Sequence, residues 1–231
     1  NYPVNTETML MEACPDALLL ACGASEKQRH ERAGSAGALV LLLLQTPTVT
    51  LQLNDPDHFN TFSTGLGEDM RRAVEHARLL PGVTSVVLQG AGPHFSVGGN
   101  PYAVRSSTST TTPAGFALSL RETFDGFLQL RTLPHPIACA VHGTLVGGGV
   151  AGCLHADLII ADHASIFEHG NLVRGVCVLG MLSQTFVISL GPRAQCVYLQ
   201  NARLDATRAH TLGLVHQLRT SVGAAKQQAH E

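Results

Sequence analysis

Length, composition and charge place this chain among globular proteins with one large domain. Its 231 residues suffice to bury about 70% of the unfolded surface in a single core, and they are few for two typical domains. With 45% hydrophobic residues, 14% charged residues and a formal net charge of -2, the chain has no electrostatic reason to bind nucleic acid. We therefore expect a compact protein without a nucleic-acid partner.

Three further features of the sequence bear on the compartment, on metal binding and on membrane spans. The six cysteines form no CxxC pair and several lie in apolar runs, which favours a reducing intracellular compartment, either cytoplasm or an organelle matrix. The twelve histidines follow no metal-binding spacing, so we expect no metal site. The longest apolar run, residues 38–44, is far shorter than the ~20 residues of a membrane span, so no transmembrane helix is predicted.

The first 36 residues differ in pattern from the rest of the chain. They mix polar, charged and small residues around two short apolar patches, and they show no strand alternation. This composition predicts an N-terminal extension or docking arm over residues 1–36. We expect the folded domain over residues 37–231.

Beyond the arm, the pattern is typical of alternating strands and helices. Residues 38–45 and 49–53 are rich in strand-forming residues with a short turn at Pro47 between them, which predicts a hairpin. Residues 64–80 carry apolar side chains at helical spacing, and a strand ending at Gln89 follows.

The middle of the chain continues this alternation. A run of serine and threonine at 106–112 predicts a mobile loop, and Pro113 starts a helix with an apolar face. Residues 136–141 and 157–161 are predicted to form two further buried strands. This alternation of strands and helices predicts an α/β fold that binds ligands where strands end and helices begin.

The part of the chain beyond Gly180 is predicted to be mostly helical. Gly191 and Pro192 separate two helices. A third helix is predicted over residues 204–212, before a short strand over 214–218.

Two glycine-rich turns carry the strongest signal for chemistry. One, at 142–149, places three successive glycines at the start of a helix, and the other, at 95–100, follows the strand that ends at Gln89. Two free backbone N–H groups from two such turns are what an oxyanion hole needs. For either turn taken alone, a purely structural role as a tight turn is the favoured interpretation, because isolated glycine motifs are weak signals. Neither GxGxxG nor GxxxxGK[ST] is present, which argues against a phosphate cradle.

A series of motifs between residues 38 and 218 occurs in an order that a known family shares. The motifs are the Asn-Asp-Pro turn at 54–56 with Asn60, the turn at 95–100, the segment 133–149, the strand 156–161 and the segment 212–215. In this order and spacing, the chain resembles the crotonase (enoyl-CoA hydratase/isomerase) superfamily. The resemblance implies an α/β fold built as a spiral of β-β-α repeats.

The shared chemistry of that superfamily is stabilisation of a thioester enolate by two backbone N–H groups. The resemblance assigns these groups to Gly99 and Gly148. It also implies a substrate carried on CoA or on the phosphopantetheine of an acyl carrier protein, with no separate cofactor. Negative charge that develops on a thioester oxygen is well stabilised by fixed dipoles in a dry site.

The chain departs from the superfamily at two positions. Hydratases of the superfamily use two glutamates for acid–base catalysis, and these positions align with Ala151 and Asn171. Neither residue type can act as the base, so ordinary enoyl hydration is not expected. Glu168 lies three residues from the second position, and a surface carboxylate is the favoured interpretation of it.

Within the superfamily, the pattern most resembles the branch that works in polyketide β-branching, where a decarboxylase acts on a carrier-bound glutaconyl-type group. The resemblance rests on the apolar continuation after Gly149, on His155 before an Ala-Asp pair, and on residues 175–180. Decarboxylation needs no glutamate base, because the leaving carboxylate supplies the electron pair. An acid must then protonate carbon, and a donor or cation must orient the carboxylate.

Five residues are candidates for these remaining roles, and each has a structural alternative in packing or in local pairing. His169 is favoured as the acid, because an imidazole can donate a proton near neutral pH. His142, at the end of a buried strand, is expected to be a hydrogen-bonded core histidine instead. The candidates are Tyr102, His169 and Asn171 for catalysis and Arg105 and Arg174 for substrate binding.

Superfamily members usually continue for several more helices, which complete the acyl pocket and mediate trimer contacts, whereas this sequence ends at Glu231. We therefore expect a truncated C-terminal helical region and either a homotrimer or a hetero-assembly. Two hypotheses follow. The protein is an acyl-thioester lyase or isomerase that prefers decarboxylation, or it is a catalytically inactive crotonase-fold subunit that serves as a scaffold.

Overall fold

The computed structural model describes residues 37–99 and 112–231. The docking arm predicted over 1–36 lies outside these ranges, as do Tyr102, Arg105 and all but the last residue of the loop predicted over 106–112. The domain boundary at residue 37 stays a prediction.

The strands of the described ranges form two sheets. In chain order the strands are β1 (Val40–Gln45), β2 (Thr48–Leu53), β3 (Ser85–Gly90), β4 (Ile137–Val141), β5 (Thr144–Val146), β6 (Leu158–Asp162), β7 (Ile166–Glu168), β8 (Arg203–Asp205) and β9 (Gln217–Arg219).

The helices connect these strands. In chain order they are α1 (Thr64–Leu79), α2 (Pro113–Gln129), α3 (Gly148–Cys153), α4 (Asn171–Arg174), α5 (Leu182–Leu190), α6 (Arg193–Leu199), α7 (Ala206–Leu212) and α8 (Val222–His230). Short 3-10 turns follow β2 and α2, at Pro56–His58 and Leu130–Thr132.

The larger sheet has the strand order β1-β2-β3-β4-β6-β9. The β1–β2 hairpin is antiparallel and pairs Val40 with Leu53, while all the other neighbours are parallel. The smaller sheet, β5-β7-β8, pairs β5 with β7 in parallel and β7 with β8 antiparallel. Because β5 leads into α3 and β7 leads into α4, the smaller sheet brings the starts of both helices to one edge.

The core lies between the larger sheet and the helices on both of its faces. On one face α1 packs against β1, β2 and α2, and buried leucine, valine and phenylalanine side chains fill the space between them. On the other face Ala225 and Ala229 of α8 pack against Val87, Ala140 and Ile160. Burial of these apolar faces drives the formation of the two layers.

The hairpin, the alternation of strand and helix, and the α/β fold class are confirmed. The helix predicted over 204–212 is wrong at its start, because β8 extends to Asp205 and α7 begins only at Ala206. The Asp205 side chain accepts a hydrogen bond from Arg208 N at 2.7 Å, which caps the helix there. The strand predicted over 214–218 is displaced to Gln217–Arg219, because Leu214 N and Val215 N donate to Ala209 O in a turn.

Candidate active site

Two backbone turns meet at the edge where β5 ends and α3 begins. Gly98 has φ +82°, and a Cβ atom there would lie 2.2 Å from Val146 O and 2.9 Å from Gly148 N. Gly147 has φ +48°, and its N–H donates to Glu168 O at 3.0 Å. Both positions need glycine, because the backbones touch and positive φ strains other residues. The sequence thus folds into two turns in direct contact.

This contact brings together the two N–H groups predicted for an oxyanion hole. A Cβ atom on Gly148 would lie only 3.4 Å from Gly99 N. Within residues 37–99 and 112–231, neither N–H donates a hydrogen bond: Gly99 forms a bridge to Phe62 in which Gly98 O is the acceptor, and Gly148 is the first residue of its helix. Two adjacent, unpaired donors suit an anionic oxygen, and the catalytic role of this pair stays a prediction.

Buried polar side chains hold the upstream turn in place. Ser96 Oγ accepts from Gly98 N at 3.1 Å and donates to Asn60 O at 2.7 Å. Asn60 Nδ2 donates to His94 O at 2.8 Å and Phe95 O at 3.0 Å, and both Ser96 and Asn60 are fully buried. Asn60 was part of the family motif, but sequence reasoning did not identify either residue as a support for Gly99.

Ala151, at the position that the resemblance assigns to the first hydratase glutamate, is surrounded by apolar groups. It is fully buried one turn along α3 from Gly148, and its Cβ atom would lie 3.3 Å from a Cβ on Gly180. A Cβ atom on Gly180 would lie 2.7 Å from Phe124 Cδ1. Phe62 in turn lies 5.6 Å, centroid to centroid, from Phe124. This side of the site is therefore apolar.

Asn171, at the second glutamate position, is buried and tied to its own loop. Its Nδ2 donates to Cys177 O at 2.9 Å, and its backbone N–H donates to His169 O at 2.9 Å. Its Oδ1 atom is buried, accepts no hydrogen bond from the described part of the chain, and would lie 3.1 Å from a Cβ on Gly147. The amide can accept a hydrogen bond beside the glycine turn, but it cannot transfer a proton at neutral pH.

His169 is packed among aromatic rings. Its ring meets Phe186 edge-to-face at a centroid distance of 5.2 Å and Tyr198 at 4.6 Å. Burial lowers the pKa of His169 below its ordinary value, so the imidazole is neutral near pH 7. This disfavours the role of proton donor for which the sequence singled it out, and packing accounts for its position.

Arg174 closes a local ion pair. Its guanidinium donates to Glu168 Oε1 at 2.8 Å and to Gly170 O at 2.9 Å. The side chain of Glu168 is 17% exposed, and its carboxylate is paired within this loop. Because its charge is used within the loop, Arg174 is not a free cation for substrate.

His142 has the structural role that the sequence predicted. It is 1% exposed, and its Nε2 lies 2.9 Å from Gly92 O. Burial lowers its pKa, so it too is neutral near pH 7.

Among the helices of the described ranges, none is long and apolar enough to cross a membrane.

Comparison with known proteins identifies the relatives of this chain. Residues 45–227 match the family model described as Enoyl-CoA hydratase/isomerase. A protein of Thermus thermophilus named "Putative enoyl-CoA hydratase" is 30% identical over 169 residues, covering 72% of this chain and 65% of the relative. The chain thus spans less than two thirds of that relative's length.

Two further relatives extend the comparison. The 1,2-epoxyphenylacetyl-CoA isomerase of Escherichia coli is 25% identical over 186 residues, covering 78% of this chain and 69% of the isomerase. The crystal structure of an enoyl-CoA hydratase from Polaromonas sp. JS666 is similar with a TM-score of 0.74 and 28% identity, covering 82% of this chain and 74% of that one.

Proposed function

The chain belongs to the enoyl-CoA hydratase/isomerase family, and we propose that it is a lyase or isomerase of acyl thioesters that prefers decarboxylation to hydration. The acyl group is carried on CoA or on an acyl carrier protein, as in the polyketide β-branching branch. One observation carries the proposal: the N–H groups of Gly99 and Gly148, which donate no hydrogen bond within residues 37–99 and 112–231, lie side by side, while Ala151 and Asn171 offer no acid.

The proposed hole acts on the thioester oxygen. When a glutaconyl-type thioester loses its carboxylate, the bond between that carboxylate and carbon breaks and CO₂ leaves. The electron pair moves through the conjugated chain to the thioester oxygen, where two N–H dipoles stabilise the enolate. A proton then returns to carbon. Tyr102, which lies outside the described residues, is the candidate donor for that proton.

Isomerisation uses the same intermediate. The similarity to an isomerase that acts on a CoA ester supports a family chemistry that does not require hydration. The apolar surroundings of Ala151 support it as well, because a dry wall excludes the water that a hydratase must hold.

Parallel turnover assays on the purified full chain test this proposal. Glutaconyl-CoA and the glutaconyl thioester of pantetheine are supplied, and CO₂ release is measured beside hydration of crotonyl-CoA. We expect CO₂ release, no detectable hydration, and no dependence on added cofactor. Hydration as fast as decarboxylation contradicts the preference, and failure to bind or convert any thioester contradicts the enzyme proposal.

A second candidate function is a non-catalytic subunit in a larger assembly. It is favoured by the replacement of both acids and by the exposure of Val173, Val187 and Ile188 on α4 and α5, which leaves apolar side chains for a partner. A homotrimer that converts glutaconyl thioester contradicts this candidate. A protein that stays inert toward thioesters and is stable only with a partner chain supports it.

A further inference from the structure

A cavity of about 500 Å³ lies between α6, α7 and the edge strand β8. The described residues that line it all fall between positions 193 and 212, so they are separate from the two glycine turns. On α6, Arg193, Cys196 and Val197 follow helical spacing, and on α7 Arg208 and Leu212 are four residues apart. Cavities that bind small molecules measure about 300–1000 Å³, so this one has room for an organic ligand.

One part of the cavity lining is apolar and fixed in place. The side chains of Val197, Leu204 and Leu212 line the cavity and belong to the hydrophobic core, and each is less than a tenth exposed. A hydrocarbon or aromatic group that packs against them loses contact with water, which favours its binding. The lining therefore suits a ligand with an apolar part.

Three arginines provide the charged part of the lining. Arg193 comes from α6, Arg203 from β8 and Arg208 from α7, and all three are exposed. In the part of the chain that the structure describes, their guanidinium groups form no ion pair and no hydrogen bond. By contrast, Arg71 and Arg72 on α1 each pair with a glutamate of the same helix. The donors of the three cavity arginines are thus available to a ligand.

Nearby carboxylates do not neutralise these arginines. Asp205 is the one acidic residue on α6, β8 and α7, and its Oδ1 accepts from Arg208 N at 2.7 Å. Glu168, which lies opposite Arg203 in the pairing of β7 with β8, forms an ion pair with Arg174 instead. The cavity therefore has a positive potential although the formal net charge of the whole chain is -2.

Phosphate is the anion that this set of donors fits best. A guanidinium group presents a planar fork of N–H donors that matches phosphate and carboxylate oxygens. A phosphate monoester has three terminal oxygens and up to two negative charges, so it can accept from more than one fork, whereas a carboxylate has two oxygens and one charge.

We propose that this cavity binds a small organic phosphate monoester. Its apolar part packs against Val197, Leu204 and Leu212, and its phosphate accepts hydrogen bonds from the arginines at the rim. This binding function goes beyond the proposed thioester chemistry and does not depend on it, because the cavity and the glycine turns are formed by different segments.

Calorimetry on the full chain with 1-naphthyl phosphate tests the proposal. This probe combines a flat apolar group with a phosphate monoester, while 1-naphthol and inorganic phosphate each provide one half of it. We expect 1-naphthyl phosphate to bind at least about tenfold more tightly than either half, and its Kd to rise with added salt. Absence of binding, or equal affinity for the probe and for 1-naphthol, overturns the proposal and leaves the proposed thioester function standing.

Matched arginine variants locate the phosphate. Arg203→Gln and Arg208→Gln are each expected to raise the Kd of 1-naphthyl phosphate about fivefold to tenfold, the size of a lost hydrogen bond to a charged group. The control Arg121→Gln removes the same charge from an exposed position on α2, outside the cavity lining, and should change Kd less than about twofold. Equal Kd values in all three variants contradict the assigned site.

Protection of Cys196 provides a test on the wild-type protein alone. Cys196 is exposed and lines the cavity, whereas Cys177 is exposed outside that lining. With 1-naphthyl phosphate at ten times its Kd, alkylation of Cys196 by iodoacetamide should slow about tenfold, because the free cavity becomes that much rarer. Alkylation of Cys177, followed by peptide mass spectrometry in the same sample, should keep its rate. Equal slowing of both cysteines, or of neither, overturns the proposal.

Discussion

The two sides of the candidate site differ in the part of the chain that carries the chemistry. On the hole side, Gly99 and Gly148 offer backbone N–H groups, fixed by the path of two turns and by Ser96. On the acid side, the resemblance aligns Ala151 and Asn171 with the two glutamates of hydratases. Backbone dipoles depend on the fold alone, whereas acid–base catalysis depends on side-chain identity. A chain can therefore lose its acids and keep its hole.

The largest expected effect comes from removing one donor of the hole. Gly148→Pro suits the first position of α3 but has no N–H, so kcat for decarboxylation falls about 100- to 1000-fold. Gly148→Ala is the matched control: it keeps the N–H, and its Cβ sits 3.2 Å from Phe62 Cδ2, so the loss stays below about tenfold. Equal losses of kcat in the two variants would show that the added side-chain bulk, and not the loss of the N–H donor, lowers activity. Unfolding curves verify that both variants fold.

The free energy of unfolding at low pH tests whether the buried histidines are neutral in the folded chain. Burial, helped by the charge of Arg131, lowers the pKa of His155 from 6.5 to about 4. Between these values the unfolded chain takes up a proton that the folded chain does not. The free energy of unfolding therefore falls as pH falls, by about 3 kcal/mol from this residue between pH 7 and pH 4. Burial lowers the pKa of His142 and His169 as well, in the same direction.

Urea denaturation at pH 7 and at pH 4 measures this loss. His155→Gln removes one titrating group and flattens the profile, while the contributions of the other histidines persist. An identical pH profile in the wild-type protein and in His155→Gln would show that His155 titrates normally.

A carboxylate at the second acid position is expected to destabilise the fold. In Asn171→Asp an oxygen replaces Nδ2 and faces Cys177 O, so the free energy of unfolding at pH 7 falls by about 1–2 kcal/mol. Repulsion and burial raise the pKa of the new carboxyl in the folded state, so stability recovers as pH falls through that pKa. Urea denaturation at pH 7 and 5 measures both effects. Full stability at pH 7 would contradict the assigned hydrogen bond.

The smallest effect is expected at the other donor of the hole. Among the residues that the structure describes, a Cβ on Gly99 meets nothing within 4 Å, so Gly99→Ala changes the free energy of unfolding by less than about 0.5 kcal/mol and keeps the N–H. Its neighbour provides the contrast, because a Cβ on Gly98 collides with Val146 O at φ +82°. Thermal unfolding of both alanine variants should separate them clearly. Equal stability would contradict the close contact of the two turns.

Sequence patterns predicted the α/β fold and the meeting of the two glycine turns, because strand period, helix period and glycine turns are local signals. They missed β5, β7 and β8, since strands of three residues show no period. They also did not show that His169 packs against Phe186 or that Arg174 pairs with Glu168. Whether a polar side chain reaches a ligand or a neighbour depends on tertiary contacts such as Phe186 and Glu168, which no local pattern contains.

The central claim is that Gly99 and Gly148 polarise a thioester oxygen although the hydratase acids are absent. Its most direct test is the infrared stretching frequency of a ¹³C-labelled thioester carbonyl in pentanoyl-pantetheine bound to the full chain. We predict a lower frequency than in water, because two hydrogen bonds in a dry site weaken the C=O bond, and a smaller decrease in Gly148→Pro. An unshifted carbonyl in the bound wild-type protein, or the same shift in Gly148→Pro, would contradict the account.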